Sequence, residues 1–334
     1  YVAYVVTEPA DTLKGQRTGN PDIWVIDLED RDHPRPFAFS CSRETSPAWT
    51  ADEQFLFFLS DRGEEKKTQV WRIAVSGGEA EQVTSLEGGA AAFVLSPDGV
   101  WIAVTSGRGL SAEEKKDLED GRDWKVAGED RTIHRLWIVD ADTGEATPVT
   151  PEEFHVSSAS WSPGGDELAI ITADASGSNE TYFNSRLELL DISDHSITLV
   201  TENARGNPSW SNDGKRIAFI YRQRSEGMTL PAGVVAVINA DGSGLKLLGE
   251  RHEGTLVNAV WMPEDDKLLV VHLKGVRGEL ATVSVGDSKV EKVEELDIPY
   301  YLRKSFDISR DGSRIVFMKG STKSPPDIYL WERG

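Results

Sequence analysis

Cysteine is nearly missing from this 334-residue chain: Cys41 stands alone, so an internal disulfide framework is excluded and a reducing compartment suits the protein. Cations are also scarce. Lys and Arg total 36 against 56 Asp and Glu, a formal net charge of −20. A nucleic-acid binder needs clustered cations to displace counterions from phosphates, and an anionic membrane surface repels an acidic protein. The charge therefore argues against both partners. Long hydrophobic runs are lacking too: Phe55-Leu56-Phe57-Phe58-Leu59 is typical of the longest, far below the roughly 18 residues a membrane helix requires. No basic segment followed by an apolar one opens the chain, and Tyr1 to Val6 already reads as strand. Yet 39% of residues are apolar and 28% charged, enough for a sizeable core. The composition predicts an acidic, soluble, cytoplasmic globular protein.

What is present is a repeat. An apolar or Trp position precedes Ser/Thr-Pro-Asp-Gly or a relative, and a short apolar run follows. The unit appears at Trp49-Thr50-Ala51-Asp52-Glu53, Leu95-Ser96-Pro97-Asp98-Gly99 and Trp161-Ser162-Pro163-Gly164-Gly165. It returns at Trp210-Ser211-Asn212-Asp213-Gly214, Trp261-Met262-Pro263-Glu264-Asp265 and Ile308-Ser309-Arg310-Asp311-Gly312. Counted from Thr50, the intervals are 46, 66, 49, 51 and 47 residues. Pro pre-sets φ, Asp caps its own backbone and Gly supplies a positive φ, so each unit is a hairpin turn.

After each turn comes an apolar strand, such as Leu168-Ala169-Ile170-Ile171, then a third strand and a more polar fourth. Four short antiparallel strands per 45–50 residues describe a β-propeller blade. The expected fold is all-β: a seven-bladed propeller of four-stranded blades at about 2–40, 45–84, 90–150, 156–201, 206–248, 256–293 and 304–332. Blade one lacks a first strand and blade seven a fourth, which suggests a domain cut from a longer protein. The ten Trp residues fall mostly at repeat-equivalent places and read as packing between blades. The six His residues show no zinc spacing, and no metal or cofactor is expected.

The opening Val2-Ala3-Tyr4-Val5-Val6, the later Asp22-Ile23-Trp24-Val25-Ile26-Asp27 and the repeated turn units resemble the propeller of prolyl oligopeptidase-family serine peptidases. Asp120-Gly121-Arg122-Asp123-Trp124-Lys125-Val126, followed by Gly128-Glu129-Asp130-Arg131 and Arg135-Leu136-Trp137, is most similar to the acylaminoacyl-peptidase and dipeptidyl-aminopeptidase branch. The resemblance runs over essentially the whole chain, although TolB-type propellers share the turn units. It implies a non-catalytic propeller that caps an α/β-hydrolase domain following it in the chain. Such a domain would carry a Gly-x-Ser-x-Gly nucleophile elbow. None occurs in these residues, and Gly242-Ser243-Gly244 reads as a hairpin tip. The resemblance also implies a gate that admits short peptides and helps select their N-terminal end. A homo-oligomer is compatible with this arrangement. The alternative is a TolB-like scaffold that binds a protein partner.

Residues 106–133 form an insertion between the second and third strands of blade three. Its charged stretch, Ser111 to Asp120, is helix-prone, with Ser111 as N-cap and Glu113 and Glu114 in the first turn. Because strands alternate direction, second-to-third connections lie at the same end of a blade as fourth-to-first connections. In the family that end faces the hydrolase. The expected substrate-binding cations are therefore Arg108, Arg122 and Arg131 in the insertion, with Arg222 and Arg224 from the equivalent connection of blade five. A guanidinium offers a planar fork of donors that suits peptide carbonyls or a carboxylate.

Overall fold

A computed structural model of the chain describes residues 1–7, 20–38, 40, 42–122, 133–223, 232–249, 253–275, 277–296, 306–321 and 323–333. Within them the chain forms seven antiparallel sheets, each built from consecutive strands in sequence order. Five sheets have four strands, spanning 44–82, 88–148, 155–202, 204–248 and 255–295; those at 2–38 and 306–332 have three. The fold is the seven-bladed β-propeller the repeat predicts. No helix among the described residues is long and apolar enough to cross a membrane.

Each turn unit closes as its chemistry requires. Ser211 Oγ donates to Asp213 Oδ1 at 2.6 Å and accepts from the Arg216 amide at 2.9 Å. Ser96, Ser309 and Thr50 make equivalent bonds to Asp98, Asp311 and Asp52. Gly214 has φ of 69°, and Asp265, replacing Gly in blade six, holds the same left-handed backbone at 57°. That departure is used: the Asp265 carboxylate accepts from the amides of Asn212 and Asp213 in blade five.

The chain divides into two compact units, residues 1–156 with 175–177 and residues 157–174 with 178–334. In the first unit, alternate residues of one strand serve two neighbours. Leu56 and Phe58 pack with Ile23 and Val25 of blade one, while Phe57 and Leu59 pack with Ile102 and Val104 of blade three. The second unit repeats the device. Ile217 and Phe219 join Ala169 and Ile171 of blade four, whereas Ala218 and Ile220 join Leu268 and Val270 of blade six. Leu269 and Val271 then meet Phe306, Ile315 and Phe317 of blade seven. Because successive side chains point to opposite faces, a strand between two sheets is apolar at every position. Tryptophans rivet these layers: Trp210 Nε1 donates to the Ser160 carbonyl at 3.0 Å, and Trp261 Nε1 to that of Ser209 at 2.9 Å.

Among the described residues two short helices interrupt the strands, one expected and one not. Helix α1 (Ala112–Glu119) starts at Ser111, which accepts from the Glu114 amide while the Glu114 carboxylate accepts from the Ser111 amide. Helix α2 (Ser178–Phe183) sits in the second-to-third connection of blade four, where the sequence reading places no helix. Six residues are too few for a 3.6-residue apolar period to show.

Candidate functional site

Buried polar side chains are distributed unevenly along the blades. Ser96, Ser162 and Ser211 belong to the hairpin turns between first and second strands. At the opposite end of the blades, where second strand turns to third and fourth hands over to first, the burial is far more polar. Blade two buries Glu44, Ser60, Gln69 and Thr84 there; blade four buries His155, Thr172 and Ser185; blade five buries Arg222. Burying such groups is costly unless each finds partners, so a fold tolerates them where they are needed.

Local bonding accounts for most of these groups. In blade two, Thr84 Oγ1 donates to Gln69 Oε1 at 2.7 Å and accepts from the Val70 amide at 2.9 Å. Thr150 accepts from the Leu136 amide in the same way. Glu44 is fully buried and ion-paired to Arg62, whose guanidinium lies over the rings of Phe58 and Trp71. Burial still raises the Glu44 pKa, against the lowering by Ser40 and Arg62. His155 and His134 lie with ring centroids 5.5 Å apart, and the His134 amide donates to His155 Nδ1 at 3.2 Å. Burial holds both imidazoles below the ordinary histidine pKa, and the neighbouring His134 depresses His155 further.

In the second unit this end opens into a cavity of about 390 Å³. Four strand ends frame it: Asp174 after the second strand of blade four, Arg186 at the start of the third, Glu202 at the end of the fourth and Arg222 in the second strand of blade five. Asn203, Asn184 and Phe183 complete the wall. Arg186 Nη2 donates to Asp174 at 2.8 Å, which raises the arginine pKa and lowers that of the aspartate. Glu188, bonded to Thr172 Oγ1 at 2.5 Å, lies 3.6 Å from the same guanidinium. Arg222 is only 2% exposed; its amide donates to the Asn203 carbonyl at 2.8 Å and its Nη2 to Asn203 Oδ1 at 2.9 Å. Beside the cavity, Arg205 covers the Tyr182 ring at 4.7 Å, and Tyr182 meets Phe183 edge-on. Polar donors and acceptors of both signs, with one aromatic wall, suit a peptide backbone.

The expected arginines divide. Arg108 binds Glu114 with both terminal nitrogens, at 2.6 and 2.5 Å, and Arg122 pairs with Asp117 at 2.6 Å and Asp120 at 2.8 Å. Arg222 alone of the three described lines the cavity. Arg131 and Arg224 lie outside the described residues. The sequence reading missed Arg186, Asn203 and the His134–His155 contact. Ser243 stands at a hairpin tip, its hydroxyl bonded to Asp241 at 2.6 Å, as Gly242-Ser243-Gly244 implies.

No family model matches the chain. The uncharacterized peptidase YuxL of Bacillus subtilis is 27% identical over 199 residues, covering 54% of this chain and 30% of that protein. Acylaminoacyl peptidase from Pyrococcus horikoshii superposes with a TM-score of 0.68 at 15% identity, over 98% of this chain and 49% of that one. The β-propeller domain of the trilobed protease from Pyrococcus furiosus gives 0.67 at 15% identity, over 99% and 90%. The chain is a seven-bladed propeller matching those of prolyl oligopeptidase-family peptidases. It spans about half the length of the acylaminoacyl peptidase, and its match covers less than a third of the curated relative. TolB from Acinetobacter baumannii is also similar, with a TM-score of 0.54 at 20% identity over 89% of this chain and 63% of that one.

Proposed function

We propose that this propeller is the non-catalytic domain of a serine peptidase. In this reading it screens substrates for an α/β-hydrolase domain of the same protein and admits short peptides. The observation that carries it is the polar, partly open end of the blades, with a buried arginine and two asparagines in one cavity wall. The likeness to peptidase propellers and to a curated peptidase supports the same reading. Arg222 and Asn203 would orient a peptide through its carbonyl oxygens or carboxylate, and Phe183 would contact an apolar side chain. The lone cysteine suits a cytoplasmic setting.

The test is kinetic, on the full-length protein with acetyl-alanyl and dipeptidyl chromogenic substrates. Arg222→Lys keeps the charge but loses the planar fork, and kcat/KM should fall roughly tenfold, about 1.4 kcal/mol, at a temperature well below the variant's own Tm. Alanine at Arg108, Arg122, Arg131 and Arg224 gives the comparison set. If all five variants stay within about twofold of the parent, the propeller acts as a sieve alone and no arginine orients substrate. A second reading, a scaffold that binds a protein partner, is favoured by the likeness to TolB. It predicts no peptide turnover by the full-length protein.

A further inference from the structure

Helix α1 belongs to none of the sheets. None of its eight residues is buried, and Leu118 is 50% exposed. A helix of this length is unstable by itself, because nucleation costs more than so few hydrogen bonds return. Its support therefore comes from outside, and among the described residues that support is ionic. The Glu114 carboxylate receives both terminal nitrogens of Arg108 and the Ser111 amide. This bonding, first of all to Arg108, pulls the Glu114 pKa down to about 2. Lys115 Nζ reaches Glu87 at 2.9 Å, in the connection that leads into the first strand of blade three. Arg122 ties the helix end to its own tail through Asp117 and Asp120.

From these contacts we infer that α1 is a strap that ion pairs among the described residues hold over the end of blade three, and that ionic strength releases it. Exposed ion pairs weaken as the screening length shrinks, from about 10 Å at 0.1 M salt to about 3 Å at 1 M. Packed strands feel no such loss, because apolar burial carries them. The strap is closed at low salt, with the Lys115–Glu87 bond made; at high salt it lifts and melts. This inference stands on the contacts of α1 and does not depend on the peptidase reading.

Amide hydrogen exchange of the full-length protein at about 20 mM and about 500 mM NaCl tests it, since the added salt shortens the screening length several-fold. Amides of 112–120 should exchange roughly tenfold faster or more at the higher salt, while 167–173 and 267–274 change by less than about twofold. Lys115→Gln and Glu114→Gln should raise the low-salt rate of the helix toward its high-salt value, and Leu118→Ala should not. Helix protection that is the same at both salt concentrations would overturn the inference. So would Leu118→Ala accelerating exchange as much as Lys115→Gln, because the anchor would then be apolar.

Discussion

At Ser211 a single hydroxyl fixes a turn from both sides, donating to Asp213 and accepting from the Arg216 amide. The residue is fully buried, so Ser211→Ala leaves that amide without its side-chain acceptor. The expected cost is about 1–2 kcal/mol, read as a lower urea midpoint at unchanged slope. The Asp213 pKa, lowered mainly by the same hydroxyl, should rise in this variant. The turn aspartates also set an acid limit. Asp52, Asp98, Asp213 and Asp311 all titrate below the ordinary carboxylate range, Asp311 at about 2, so their contribution is present above the unfolded pKa and is lost as pH falls through the folded one.

His134 and His155 act in a different window. Their folded pKa values lie below the unfolded value of about 6.5, so below that pH the unfolded chain binds more protons and stability falls. Protonating Nδ1 of His155 would also remove the acceptor for the His134 amide. In a His134→Ala/His155→Ala variant, the drop in Tm from about pH 7 to about pH 5 should be smaller than in the parent. An equal drop would contradict the assignment.

At the level of elements, the hairpin repeat was legible because its chemistry is local: Ser, Pro, Asp and Gly act within five residues. The bulge in the first strand was not. The register shifts between Thr45 and Ala48, Gly88 and Ala92, Arg205 and Ser209, and Val257 and Val260. Ser46, Gly89, Gly206 and Asn258 hold the positive φ at these places. No shared residue type marks the bulge, so the sequence hides it. At Gly206, with φ of 80°, an added Cβ would sit 3.1 Å from Ile220 Cγ1. Gly206→Ala should therefore cost about 1–2 kcal/mol through the left-handed backbone alone, measurable by denaturant unfolding. The capping of α1 could be read from Ser111 and Glu114, three residues apart. The cavity could not, because Asp174, Arg186, Glu202 and Arg222 come from four strand ends in two blades. Of its charged wall, only Arg222 was in view, through its place in the repeat.

For the whole molecule, the count of seven blades followed from the repeat interval, and the alternating cores explain why inner strands read as continuous apolar runs. The proposed function rests on the buried polar side chains and the cavity at one end of the blades, and on the likeness to peptidase propellers. The central proposal is that this domain serves a serine nucleophile lying outside residues 1–334. Labelling the full-length protein with a fluorophosphonate and mapping the modified peptide tests it most directly. The account predicts one labelled serine beyond this domain, loss of short-peptide turnover on labelling, and no turnover by residues 1–334 alone. A full-length protein with no reactive serine, or a labelled serine within the propeller itself, would contradict it.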